Sequence, residues 1–282
     1  MAHPGGGGAA RRGRTACASL GMYDFPPLEA ANDALWHAVA SRLAASGFTA
    51  VPYTLDRARP LEAIWRDPDL LLAQACGYPV VTSLAGLVET VATPIYDIPG
   101  CDGPCYRSVI VVRDADPARA VADFRGRRAA INGRDSNSGM NLLRALVAPF
   151  AAGRRFFGGV RVTGSHLASI AAVASGEADI AGIDCVTYGL VSRHHPERLH
   201  GLRVLATSPL CPGLPLITAA SRGATERAAM LAALQDIVQD PALAPARAAL
   251  SLAGFVPMTL ADYAPVTALA RAAIAAGYET LA

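Results

Sequence analysis

The chain contains no lysine: its 25 basic residues are all arginine, set against 23 carboxylates for a formal net charge of +2. That absence excludes a Schiff-base lysine, a pyridoxal phosphate site and a Walker A loop, each of which needs an ammonium at a fixed place. The arginines are dispersed, so no basic tract offers a footprint for nucleic acid. Long apolar runs are missing as well. Hydrophobic residues make up 52% of the chain and mean hydropathy is +0.30, yet much of this is alanine. No stretch reaches the roughly 20 apolar residues of a spanning helix. Metal-ligand patterns are also lacking. Six cysteines stand at 17, 76, 101, 105, 185 and 211, and the one close pair, Cys101 and Cys105, has neither a second pair nor a histidine to complete a zinc site. A Gly/Pro turn carrying two incidental thiols is one reading of this pair; a local disulfide in an oxidising compartment is the other. Residues Met1 to Arg14 are glycine-rich, then basic, and no apolar signal core follows them, which taken literally implies a cytoplasmic chain.

What is present is a compact α/β composition, with charged residues at only 17%, long enough for two lobes with separate cores. After a tail over 1–16, Thr15 to Met22 reads as a buried strand and Leu28 to Ala45 as a helix with apolar spacing through Leu35, Val39 and Leu43. Phe48 to Tyr53 reads as a second strand, giving a β-α-β start. A short helix over Leu61 to Trp65 and a strand over Leu70 to Gln74 follow. Tyr106 to Arg113 is a β-branched strand. A compact α/β unit comes next, with strands over Arg127 to Asn132, Val160 to Thr163 and Asp179 to Asp184. Its helices are expected at Asn141 to Ala148, Leu167 to Ser175 and Val186 to Ser192. Leu202 to Ser208 is a strand, and helices near Thr225 to Val238 and Tyr263 to Ala275 finish the chain. The middle unit is bracketed by extended strands near 107–112 and 203–208, the pattern of a lobe inserted into another through two crossover strands that act as a hinge. The expected division is lobe one over 17–107 with 207–282, and lobe two over 108–206.

Polar residues gather where strands of lobe two end. Gly133-Arg134-Asp135-Ser136-Asn137-Ser138-Gly139 precedes a helix, where free N–H groups and the helix dipole favour an anion, so Ser136, Asn137, Ser138 and Gly139 can form an oxyanion cradle or simply cap the helix. His166 opens the next helix after Thr163-Gly164-Ser165, and Asp184 ends the next strand; a structural histidine and a plain cap are the competing readings. Lobe one offers Tyr23, Tyr78 and Tyr106, whose phenols combine a hydrogen bond with an apolar wall, unless they belong to its core.

Taken in order, Tyr106 through the β-branched run, Asn132 through Gly139, Gly164 to His166, Ala178 to Asp184 and Ser208 to Gly213 resemble the phosphonate-, phosphate- and phosphite-binding proteins of ABC transporters over about residues 17–260. The resemblance implies a two-lobed type II periplasmic-binding-protein fold with a discontinuous first lobe. It implies that a small oxyanion is held between the lobes by Ser136, Asn137, Ser138 and His166 with Tyr78 and Tyr106. It also implies a periplasmic location, an ABC permease as partner, a monomer, no cofactor and no enzymatic activity. Asn137 stands where the family has threonine, and Asp184 is the sole acid near the positions where aminophosphonate binders hold an ammonium. A simpler oxyanion than a zwitterionic aminophosphonate is therefore expected.

Two rival readings use the same fold. A cytoplasmic enzyme such as a chorismate dehydratase would give His166 or Asp184 an acid/base role, although no nucleophile, base and orienting group stand together. A ligand sensor would report closure to a partner through an exposed apolar patch.

Overall fold

The computed structural model describes residues 16–282. The expected tail lies outside that range except for Ala16, as does Thr15 of the expected first strand. Along the chain, β1 (Cys17–Ser19) leads through two 3-10 turns to α1 (Glu29–Ala45), and α2 (Leu61–Trp65) precedes β2 (Leu70–Gln74). The short α3 (Gly77–Val80) and the long β3 (Val88–Tyr96) follow. The chain crosses through β4 (Cys105–Tyr106) into β5 (Ser108–Arg113) and β6 (Arg128–Ile131), then makes a π turn (Asn137–Asn141) into α4 (Leu142–Ala151). Next come β7 (Gly159–Val162), α5 (His166–Ala174), β8 (Ile180–Asp184), α6 (Cys185–His194) and β9 (Leu202–Thr207). The return passes through β10 (Cys211–Pro212) to β11 (Leu216–Ala219), α7 (Ala224–Gln239), α8 (Ala244–Leu250), β12 (Leu252–Val256) and α9 (Ala264–Ala275).

Two five-stranded sheets result, β1-β2-β11-β3-β12 in lobe one and β7-β6-β8-β5-β9 in lobe two. Both are mixed: β1 runs parallel to β2, and β6 to β7 and β8, while β11, β12, β5 and β9 pair antiparallel. The β5 run Ser-Val-Ile-Val-Val is apolar on both sides because both faces of its sheet are covered. Val109 and Val111 share a core with α5 and α6, and Ile110 and Val112 share one with α4. In lobe one, α1, α7 and α8 cover one face, and α2 closes the other with Ile64 and Trp65.

The two crossings travel together. β4 pairs antiparallel with β10, Tyr106 opposite Cys211. One step on, the Ser108 N–H donates to Ser208 Oγ at 2.9 Å, and the Ser208 N–H returns a bond to the Ser108 carbonyl at 2.9 Å. The expected paired hinge strands are therefore hydrogen-bonded to each other.

Three features differ from the sequence expectation. Phe48 to Tyr53 is not a strand: the position beside β1 belongs to β2, and the segment runs over the surface, with Tyr53 80% exposed and the Pro52 carbonyl accepting from Trp36 Nε1. The strands β3, β11 and β12, unread in the sequence, form the middle and far edge of the lobe-one sheet. Finally α9, which the sequence division groups with lobe one, packs on α4 of lobe two, where Ala273, Tyr278 and Leu281 join the core of Phe156 and Phe157.

Candidate ligand cleft

Between the lobes lies a cleft of about 350 Å³. Its lobe-two wall is the loop after β6, the π turn and the N-terminus of α5; its lobe-one wall is the turn after β1, with Trp65, Cys76 and Leu214 behind it. The local sequence accounts for both walls. Ser136 has extended backbone and its Oγ accepts from the Gly139 N–H at 3.0 Å, so it is the N-cap of the turn that starts α4. Ser165 does the same for α5, accepting from the Ala168 N–H at 3.1 Å. The cradle sits close against its sheet because β8 carries glycine there: a Cβ on Gly182 would lie 3.1 Å from the Ser138 carbonyl. That same carbonyl accepts from Ser108 Oγ at 2.9 Å, tying the cradle to the first hinge strand.

Ser138 and His166 meet across the cleft wall, Oγ to Nε2 at 2.8 Å. His166 Nδ1 is sealed from solvent without a partner, as is Asn132 Oδ1 at the end of β6. Burial pushes His166 down to about 4, so its ring is neutral at pH 7. A sealed N–H without an acceptor is rarer than a sealed acceptor without a donor. The tautomer consistent with this places the proton on Nε2, donating to Ser138 Oγ, and leaves the Ser138 hydroxyl proton to point into the cleft.

Asp184 lines the cleft, but its oxygens are engaged. Oδ1 accepts from the N–H groups of Val186 at 2.7 Å and Thr187 at 3.0 Å, capping α6, and Oδ2 accepts from the Tyr23 hydroxyl at 2.9 Å. Tyr23 belongs to lobe one, so this bond joins the lobes. Burial raises Asp184 to about 6, even against these three donors, and burial likewise holds the Tyr23 phenol well above its usual range. A second joint is the Asn137 N–H donating to Cys76 Sγ at 3.2 Å.

Of the residues singled out in the sequence, Tyr23, Ser136, Ser138, His166 and Asp184 line the cleft. The others stand behind it. Asn137 is fully buried: its Nδ2 donates to the Tyr106 hydroxyl at 3.1 Å, and its Oδ1 accepts from Asn141 at 2.9 Å. Tyr106 is thereby held beneath the cradle at the hinge. Gly139 lies against Asn132, and Tyr78 is wedged where the three apolar cores meet. Among the described residues no arginine lines the cleft, and Asp24 on its rim is paired with Arg57 at 2.7 Å. Among the described residues no group of three or more His, Cys, Asp or Glu is placed to hold a metal ion, and no helix is long and apolar enough to cross a membrane.

The family described as "ABC transporter, phosphonate, periplasmic substrate-binding protein" matches residues 67–263. The chain belongs to this family. The family is a substrate-binding component of transporters, working with ABC permeases, and not an enzyme. No curated protein sequence matches the chain significantly. Among solved structures, PhnD1 from Prochlorococcus marinus in complex with methylphosphonate has a TM-score of 0.72 at 16% identity, covering 92% of this chain and 97% of its own. The binding-protein component of an ABC phosphonate transporter from Pseudomonas aeruginosa has a TM-score of 0.72 at 15% identity, over 93% and 87% of the two chains. XAC2383 from Xanthomonas citri, bound to chloride, has a TM-score of 0.69 at 15% identity, over 93% and 98%. At these identities the structures establish the shared two-lobed fold.

Sequence reasoning assigned no role to Trp65, Thr187 or Leu214 in the cleft, and noticed Asn132 only as part of a motif. For Asn132 a signal existed, since it is a polar residue ending a buried strand just before the cradle, at the carboxyl edge where such sheets bind ligands. For Thr187 and Leu214 the family resemblance gave one, since both lie in neighbourhoods that correspond to ligand contacts of aminophosphonate binders; for Trp65 none existed, and only the fold turns it to the cleft.

Proposed function

We propose that this chain captures a small phosphorus oxyanion of low charge between its lobes and delivers it to an ABC permease, acting as a monomer. The observation that carries the proposal is the Ser138–His166 pair. A neutral imidazole donates to a serine whose own proton faces the cleft, beside the start of α4, where hydroxyl and N–H dipoles favour negative charge. Among the described residues the cleft supplies donors without a guanidinium, which suits a monoanion better than a dianion that would demand full counter-charge in a desolvated place. Asp184, committed to Tyr23 and the α6 cap, is not available for an ammonium group; the other carboxylates of the lining are Asp24, paired with Arg57, and Asp135 in the cradle loop. Methylphosphonate and phosphite are the ligands this reading expects. The methylphosphonate in the Prochlorococcus structure supports the reading.

Isothermal titration with methylphosphonate, phosphite, phosphate, aminoethylphosphonate and chorismate tests it. Saturable binding of methylphosphonate or phosphite is expected, together with a loss of about ten- to hundredfold in the Ser138→Ala variant, the size of one charge-assisted hydrogen bond. An unchanged affinity in that variant removes Ser138 from the site. Binding of chorismate with its consumption replaces the proposal with the enzyme reading.

A further inference from the structure

Cys101 and Cys185 take no part in the cleft chemistry just described, yet they approach each other from opposite sides of the lobe boundary. Cys101 lies on the loop between β3 and β4; Cys185 is the first residue of α6, directly after Asp184. Their sulfurs stand 3.7 Å apart. The approach depends on glycine: Gly100 has φ +102°, and a Cβ there would lie 2.9 Å from the Cys185 Cβ. Around it, Ile98 packs on Gly189 of α6, and the Cys185 N–H donates to the Arg107 carbonyl at 3.0 Å, so the loop, the crossover and α6 are fitted together at this point. The sequence left open a local bond between Cys101 and Cys105. In the structure Cys105 is drawn instead into a turn with Asp102, through N–H···O bonds of 2.9 and 3.0 Å, and into the β4–β10 ribbon.

We propose that Cys101 and Cys185 form a site of oxidative modification, a disulfide that joins the lobes beside the hinge and holds the arrangement in which Tyr23 meets Asp184. The oxidant is a disulfide of the glutathione class. The thiolate of the partly exposed Cys101 attacks one sulfur of oxidised glutathione and expels one glutathione thiol, leaving a mixed disulfide on Cys101. The buried Cys185 gives up its proton and attacks the Cys101 sulfur, expelling the second glutathione thiol. Two protein thiols are oxidised and one external disulfide is reduced to two thiols. The sulfurs close from contact to about 2 Å, a movement within the reach of side-chain rotation and a small shift of the Gly100 loop. Contact with Cys101 and burial both push the Cys185 thiol above its usual range, so the partly exposed Cys101 is the thiol that meets the oxidant first. The opening of the cleft then acquires a redox dependence: reduced protein opens, oxidised protein stays shut.

The experiment is peptide mapping of the full chain after incubation with oxidised glutathione. Because all its basic residues are arginine, trypsin places Cys76, Cys101 and Cys105 on residues 67–107 and Cys185 on residues 162–193. The expected product is these two peptides joined, separating on reduction. The join is retained in Cys105→Ser and lost in both Cys101→Ser and Cys185→Ser. A bond within residues 67–107, or no joined product from the unmodified chain, overturns the proposal. Hydrogen exchange at residues 21–25 and 136–138 reads the second half, with slower exchange expected in the oxidised chain. Equal exchange in both forms would show that the bond does not hold the cleft shut.

Discussion

At the scale of single residues the cleft sets two buried titratable groups against each other. Asp184 is raised from 3.8 to about 6 by burial, and His166 is lowered from 6.5 to about 4 by the same cause. The protonated carboxyl contributes stability that is full below pH 3.8 and lost as pH rises through about 6; at neutral pH the ionised, buried carboxylate costs the fold about 3 kcal/mol. His166 has the opposite sign: its contribution is present above pH 6.5 and lost as pH falls toward about 4, because the unfolded chain takes up a proton that the buried ring refuses. Between pH 4 and 6 the two slopes offset. Asp184→Asn should therefore lose stability on acidification across that window relative to the unaltered chain, and His166→Gln should gain it, as followed by melting temperature in a pH series. Parallel profiles in the two variants would contradict the assignment. The sequence made Ser138 and His166 legible as donors because small polar residues before a helix start have one direction in which to point. It could not show that Asn137 faces away, since its partners Tyr106 and Asn141 come from the hinge and the next helical turn.

At the scale of elements, the joint from β6 to α4 is the tightest in the molecule's functional wall. Gly139 sits where an added Cβ would fall 1.9 Å from Asn132 Oδ1 and 3.3 Å from its backbone nitrogen. The side-chain amide can turn aside, but the backbone cannot. Although alanine is the better helix former, Gly139→Ala is expected to destabilise the fold by about 1–3 kcal/mol through overpacking, measurable as a lower urea midpoint with an unchanged slope. A midpoint at or above that of the unaltered chain would mean that the turn relaxes freely. Elements with uninterrupted periodicity were legible in the sequence: α1, α2, β2 and β5 lie where apolar spacing or a β-branched run places them. Phe48 to Tyr53 misled because β propensity describes a fit to a half-buried surface, and here the neighbouring position was filled by β2. β3 holds Pro94 and β12 holds Gly254, residues that mask a strand until its partners are known.

At the scale of the whole molecule, the two lobes and their paired crossovers were legible as bracketing strands and through the family likeness. The third crossing was not. The apolar face of α9 reveals that the helix packs, not on which lobe. Tyr263, just before it, donates to the Gly213 carbonyl at 2.9 Å and bonds Thr93 in lobe one, whereas Arg144 of α4, only 5% exposed, donates to the Glu279 carbonyl beyond the helix. The last carbonyl, of Ala282, accepts from the N–H groups of Phe156 and Phe157 at 2.8 and 2.9 Å. Removal of residues 277–282 strips the Glu279 carbonyl from a buried guanidinium and the Ala282 carbonyl from two N–H groups, and uncovers two phenylalanines. A fall in melting temperature and new binding of an apolar dye are the expected outcomes; a truncated chain as stable as the original would show the strap to be dispensable.

The strap also bears on how the protein is made. Lobe two is continuous in sequence from β5 to β9, and on that ground it would be the first part to fold as the chain emerges from the ribosome. Yet the side of its core around Phe156 and Phe157 is finished by Tyr278 and Leu281, which are synthesised only after the chain has returned through lobe one. The inserted lobe thus waits for the returning chain, and a segment beyond α9 completes a unit whose other residues were translated long before.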